Sequence, residues 1–324
     1  MDKMRITSTP YDDVFRTLLN DCSSLIIPVI NEVFGECYSG REKIVFAPNE
    51  HFLNQQDGNE EERITDTSFK IEGKETKKYH LECQSSTDNS MLIRFFEYDT
   101  QIALDEGELK GNVLTVTLPH SAVLFLRCHA STPDTLKIRM VTPGGTVEYD
   151  ILVMKSQQYT LEEIFKKELL LLIPFYIFSH ETRFEDYEKD EIKLNALQSE
   201  YEQIKNKLEE LSEKGTISEY TRCTIIDMSN KVLEHIAKKY HAVREGVKSV
   251  MGGKVLEYEA KTIKREGIKE GIKEGIKEGI KEGIKEGIEG TVSILKNLGV
   301  PQQTILANIQ EQYNLSPEDS KKYL

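Results

Sequence analysis

The sequence is short of several things, and each shortage narrows its function. It has no CxxC pair, and its five cysteines, Cys22, Cys37, Cys83, Cys128 and Cys223, are odd in number and widely spaced. This excludes a zinc ribbon and fits free thiols in a reducing cytosol. None of the seven histidines falls in an HxxxH or HExxH pattern, so they read as structural or surface residues. The N-terminus lacks the apolar core of a signal peptide. The longest apolar run, Leu169–Phe178, carries Pro174 inside it. A bilayer span needs ~20 apolar residues, so this run reads as a buried helix, and the expected setting is cytoplasmic with no membrane contact. Positive charge is also in deficit. Forty-two Lys and Arg stand against 55 Asp and Glu, for a formal net charge of −13. Phosphate contacts need Lys and Arg, so the balance argues against tight, non-specific DNA binding but leaves room for a local basic path.

What the chain does have is length and patterning. Its 324 residues, 38% hydrophobic and 30% charged, can bury a sizeable core. The most informative stretch is Ile64–Ser86, ITDTSFKIEGKETKKYHLECQSS. Ile64–Ile71 and Lys77–Gln84 alternate in character, and Gly73 lies between them, as a β-hairpin requires. A hairpin centred on Lys74 puts Asp66 opposite Glu82. Side chains alternate faces along a strand. Phe69, Ile71, Tyr79, Leu81 and Cys83 then form an apolar face, and Asp66, Ser68, His80, Glu82 and Gln84 form a polar one.

Two carboxylates directly across a strand pair repel. Two readings follow: the acids flank a divalent cation, or they are solvated on an open sheet face. Oxygen ligation with retained waters suits Mg²⁺ or Mn²⁺. Such a metal can activate a water and stabilise charge on a phosphate. Gln84, ~7 Å along the same face from Glu82, can orient a water or a phosphate oxygen but is no strong base.

An Asp, a hairpin and then Glu-x-Gln resembles the PD-(D/E)XK nuclease superfamily, with Gln in place of the usual Lys. The wording ITDTSFKI, YHLECQSS and MLIRFFEYDTQIAL is similar to the Rpn-type recombination-promoting nuclease and putative transposase group, over about Tyr11 to Glu181. The resemblance implies metal-dependent DNA cleavage. It implies Asp66 and Glu82 as ligands of Mg²⁺ or Mn²⁺, the Cys83 backbone carbonyl as a third ligand, and Gln84 in the lysine's place. It also implies an α/β fold with a mixed sheet, a restriction-endonuclease-like α-β-β-β-α-β core with an added β-hairpin. The missing Lys leaves the general base unassigned.

Around this centre the chain reads in order. Tyr11–Gly35 has helical periodicity interrupted near Asp21–Ser24, with Ser23 or Ser24 placed to cap a second helix. Asp13 and Glu32 are candidates for an accessory acid, against ordinary surface acids. Lys43–Ala47 reads as a short strand and Asn49–Glu62 as a loop. Asp88 or Ser90 can cap a helix over Met91–Asp105, on which Arg94, Tyr98 and Gln101 share a face. Arg94 there either clamps a phosphate or pairs with Glu97. Val113–Leu118 and Ala122–Arg127 read as strands, and Pro143-Gly144-Gly145 turns a second hairpin. Thr160 and Glu163 form a capping box.

From Thr182 the composition becomes that of charged helix. Leu194, Leu197, Tyr201, Ile204, Leu208 and Leu211 step by three and four, a short heptad seam of the coiled-coil kind. Ile217–Val243 can fold back on it as a helical hairpin. Arg265–Gly290 repeats Ile-Lys-Glu-Gly. An Ile stripe of period four drifts ~40° per repeat around a helix, and each Gly costs ~1 kcal/mol against Ala. The segment is thus a self-associating helix or a charge-balanced spacer. Thr291–Leu324 holds short helices, with Gln302–Tyr313 opened by Pro301 and a last turn capped by Ser316-Pro317.

These readings divide the chain into a nuclease-like domain (1–181), a helical region (182–260), the repeat (261–290) and a small helical module (291–324). The expected function is a metal-dependent DNA endonuclease linked to recombination or transposition, acting on DNA and forming a homo-oligomer. The alternatives are a catalytically inactive oligomerising adaptor on the same core, and a DNA binder that uses its C-terminal helices.

Overall fold

The computed structural model describes residues 10–46, 50–54, 60–64, 67–86, 90–252, 283–285, 287–313 and 315–323, with side chains described outside 50–54 and 60–64. The protein is mixed α/β. Helices Pro10–Asp21 (α1) and Ile26–Phe34 (α2) are separated by a 3-10 turn, Ser23–Leu25. Neither Ser23 nor Ser24 caps α2. The turn leads directly into α2, and the Ile26 N–H bonds to the carbonyls of Ser23 and Ser24. Pro28 sits in the first helical turn, where a missing N–H costs little. Gly35 closes α2 at φ 66°, in the left-handed region that glycine adopts freely.

The six-stranded sheet contains Lys43–Phe46 (β1), Ser68–Glu72 (β4), Thr76–Gln84 (β5), His120–Phe125 (β8), Thr135–Thr142 (β9) and Gly145–Lys155 (β10). Its order is β1-β4-β5-β8-β10-β9. The β5–β8 and β8–β10 ladders are parallel and the rest antiparallel. The central hairpin has the expected register, with Ser68 facing His80, Phe69 facing Tyr79 and Glu72 facing Thr76. Gly73 lies in its turn, where a Cβ would meet the Tyr38 ring at 3.3 Å.

Three expectations need correction. Asn49–Glu62 is not a loop, since Glu50–Asn54 (β2) and Glu60–Ile64 (β3) pair as a separate hairpin. Two strands can satisfy each other's backbone groups whatever their polarity. Ile64–Ile71 is therefore not one strand: Ile64 ends β3, and the sheet strand begins at Ser68. Val113–Leu118 does not enter the sheet either. Val113–Thr115 (β7) pairs with Glu108–Lys110 (β6) in a small hairpin that leaves Leu109, Val113 and Leu114 exposed.

The sheet is covered on both faces. Phe69, Ile71, Tyr79, Leu81 and Cys83 join the main core with α1, α2 and the 3-10 segment Leu170–Arg183. That segment is the expected buried helix, wound more tightly. Met91–Leu104 (α3) covers the opposite face, packing Met91 and Phe95 on Val123, Phe125, Ile138 and Ile151. The Thr160–Glu163 capping box forms as expected at Leu161–Lys166 (α4).

Four more helices follow: Phe184–Lys189 (α5), Glu191–Glu213 (α6), Glu219–Ile236 (α7) and His241–Met251 (α8). Leu197, Tyr201, Ile204 and Leu208 of the expected seam are buried in the same hydrophobic cluster as the sheet. The chain divides into two units, 1–255 and 256–324, so the expected division at residue 181 falls inside the first. In the second unit, helical residues 287–297 (α9) and Gln302–Tyr313 (α10) bring together Ile288, Val292, Ile305 and Ile309, and Pro317–Ser320 (α11) follows. Ser316 caps α11 and Pro317 is at its first position, as expected. Of the Ile-Lys-Glu-Gly repeat, residues 283–285 and 287–290 are helical, and the rest lies outside the described residues. No helix among the described residues is long and apolar enough to cross a membrane.

Candidate functional site

The site grows from the polar face of β5. Alternation along the strand sends His80, Glu82 and Gln84 to the side opposite the main core. That face is not open to solvent, because α3 lies across it. His80 is fully buried and Glu82 is 2% exposed. Helical spacing places Phe95 and Asp99, four residues apart, over the same ring. The Phe95 ring centroid is 4.9 Å from that of His80, and Tyr98 stands edge-on at 6.0 Å.

His80 Nδ1 lies 2.7 Å from Asp99 Oδ1. Asp99, itself fully buried, also accepts from Ser121 Oγ at 2.7 Å and from Tyr149 Oη at 3.1 Å. It thus ties α3 to β5, β8 and β10. On the other edge of the imidazole, Nε2 stands 3.6 Å from Glu82 Oε1. That is an ion-pair distance, beyond a hydrogen bond, and among the described residues Nε2 has no hydrogen-bond partner. Gln84 Nε2 donates to Glu82 Oε2 at 3.3 Å. Burial opposes a charge on His80, but the hydrogen bond to Asp99 and then the contact with Glu82 outweigh it, raising its pKa to about 9. Burial, then Asp99, pushes the Tyr149 hydroxyl up.

Ser121, His80 and Asp99 are the residue types of a nucleophilic triad, but their geometry is not one. Ser121 donates to Asp99 instead of to the imidazole, and all three are at most 2% exposed. A serine without a base and without access to substrate cannot act as a nucleophile.

The sequence-derived site residues fare differently. Glu82 and Gln84 come together as expected. Along β5, Leu81 N donates to Thr67 O while Gln84 O accepts from Leu126 N. Alternate peptide groups therefore bond opposite neighbours, and the Cys83 carbonyl faces the β4 side. Asp66, the expected partner of Glu82, lies outside the described residues, as does Asp88. Arg94 is half-buried on α3, one turn before Tyr98. Ser90 occupies the N-cap position of α3 without a side-chain cap bond. Asp13 and Glu32 do not join Glu82. The helices that carry them pack on the other face of the sheet, where Asp13 pairs with Lys231 at 3.7 Å and Glu32 accepts from Lys167 at 2.6 Å and Tyr159 at 3.1 Å. Among the described residues, no three His, Cys, Asp or Glu side chains gather to hold a metal ion.

No family model, curated protein or solved structure matches this chain. Sequence reasoning missed Asp99, Ser121 and Tyr149. The only available signal was the i, i+4 step from Phe95 to Asp99, an acid on the apolar stripe of an amphipathic helix.

Two features of the site bear on a cation. Among the described residues, the one ion pair of Glu82 is with His80, which Asp99 shares. Two buried carboxylates thus meet one imidazolium, and a buried charge is costly unless balanced. The side-chain oxygen of Ser68, directly opposite His80 in the ladder and fully buried, has no hydrogen-bond partner among the described residues. Orphaned polar atoms of this kind suit the waters that a hard cation retains.

Proposed function

We propose that the protein is a divalent-metal-dependent DNA endonuclease, related to the recombination-promoting nucleases that its sequence resembles. The observation that carries this reading is the hairpin register. The ladder holds from Glu72–Thr76 through Ser68–His80 to the Leu81–Thr67 hydrogen bond. The described ladder ends there; the sequence pattern expects Asp66, the next residue and outside the described ones, opposite the buried Glu82. The element order α2, β1, β4, β5, α3, β8, with β2–β3 and β6–β7 between, supports the reading, because the resemblance expects a helix-strand-strand-strand-helix-strand core.

In this reading Asp66, Glu82 and the Cys83 carbonyl hold Mg²⁺ or Mn²⁺. The metal supplies an activated water and charge stabilisation at the scissile phosphate. Gln84, anchored to Glu82, orients a water through its amide. Arg94 offers a planar fork to a phosphate. With a net charge of −13, affinity for DNA would be modest and fall steeply with salt.

A second reading, a catalytically inactive oligomerising protein on the same core, draws on two observations. Among the described residues no three-ligand cluster gathers, and the β6–β7 hairpin exposes Leu109, Val113 and Leu114. The two separate in one assay. The endonuclease degrades DNA with Mg²⁺ or Mn²⁺ and stops in EDTA, and Glu82→Gln abolishes cleavage while the chain stays folded. Equal cleavage by wild type and Glu82→Gln, or no cleavage with either metal, rejects the endonuclease.

A further inference from the structure

The cluster behind Glu82 is more elaborate than packing needs. Asp99 collects three donors, from β5, β8 and β10, at 2.7, 2.7 and 3.1 Å. An acceptor held from three strands cannot rotate without breaking bonds to all of them. It fixes the plane of the His80 imidazole from one edge, while Phe95, at 4.9 Å, packs against the ring. The opposite edge of the ring then has one direction available, and Glu82 Oε1 lies there at 3.6 Å. The gap is a few tenths of an ångström beyond a hydrogen bond. Such bonds are often long before a site is loaded and tighten when it is.

We propose that Asp99, acting through His80, is a positioning residue for Glu82: it holds the imidazole edge that orients the Glu82 carboxylate toward a divalent cation. This rests on the endonuclease reading, and it adds residues that neither the sequence motif nor the resemblance supplies. Among the described residues, Glu82 Oε1 faces His80 and Oε2 accepts from Gln84. A carboxylate oxygen accepts two bonds, so both keep a lone pair for metal or metal-bound water. His80 itself is no ligand, because its ring is buried between Asp99 and Glu82. Loss of residues of this supporting kind typically costs ~10–100-fold in metal affinity or activity; a group that only orients a ligand is read out first in the affinity.

The test compares full-length wild type with Asp99→Asn, which keeps the shape but loses the charge that grips the imidazole. Mn²⁺ binding is measured by calorimetry, and DNA cleavage is followed against Mg²⁺ concentration. Asp99→Asn is expected to weaken Mn²⁺ binding and raise the half-saturating Mg²⁺ ~10–100-fold, with kcat at saturating Mg²⁺ within a few-fold of wild type. A merely structural role for Asp99 would lower the melting temperature and leave the Mg²⁺ requirement unchanged. Should Asp99→Asn fail to fold, by near-ultraviolet circular dichroism, Tyr149→Phe is measured in its place. It removes one of the three donors from a half-buried position and is expected to weaken Mn²⁺ a few-fold. A folded variant that binds Mn²⁺ as wild type does overturns the positioning role and leaves the endonuclease reading standing. Wild type that neither binds Mn²⁺ nor cuts DNA overturns both.

Discussion

His80 and Asp99 meet at 2.7 Å with neither side chain exposed to solvent. One comes from the second strand of a hairpin and the other from the helix that crosses over it. The contact joins the two layers that enclose the candidate site, and several measurable consequences follow from it.

Replacing Asp99 with Ala leaves the buried His80 Nδ1 and Ser121 Oγ, and the half-buried Tyr149 Oη, without their acceptor. Breaking one side of a buried ionic contact costs ~3–5 kcal/mol. Tyr149→Phe removes only one donor, for ~1–2 kcal/mol. Urea unfolding of the two variants should rank them in that order.

The His80 imidazole takes up a proton on folding, since its pKa rises from an ordinary 6.5 to about 9. Burial opposes this rise, while Asp99 and Glu82 drive it, and Tyr149 and Tyr98 are the other titratable groups near the ring. The stabilisation is fully present below about pH 6.5 and is lost as pH climbs through about 9. It corresponds to ~3 kcal/mol. Stability measured by denaturant titration should therefore fall between pH 7 and 9.5. In His80→Gln that part of the slope should vanish.

Ile204 is fully buried in α6 within the cluster that includes the sheet. Ile204→Ala should cost ~2–5 kcal/mol and lower a single transition for the whole first unit. A fragment ending at Glu181 would lack Leu197, Tyr201, Ile204 and Leu208 from its core and should show no cooperative melt, whereas one ending at Val255 should fold. Native-like circular dichroism and a sharp melt for the shorter fragment would contradict the shared core.

Two isoleucines of the repeat differ sharply. Ile288 is 1% exposed in the core of the second unit and Ile284 is 48% exposed. Ile288→Ala should destabilise that unit by ~2–5 kcal/mol. Ile284→Ala should change stability by less than ~0.5 kcal/mol. Hydrogen exchange of α10 amides reads both.

Local chemistry was legible in the residues themselves. The hairpin about Lys74, the burial of Phe69, Tyr79 and Leu81, the Thr160–Glu163 box and the Ser316-Pro317 start all depend on spacings of a few residues, where alternation or one hydrogen bond decides the outcome. Which polar face would be dry was not legible. His80, Glu82 and Gln84 read as one side of a strand, but α3 lands on them and brings Asp99 from 19 positions away. The split of Ile64–Ile71 between two hairpins, and the merging of α6 with the sheet core, are likewise choices among long-range partners. Several partners of similar apolar or backbone-bonding capacity compete there, and only the closed packing of the whole unit selects among them.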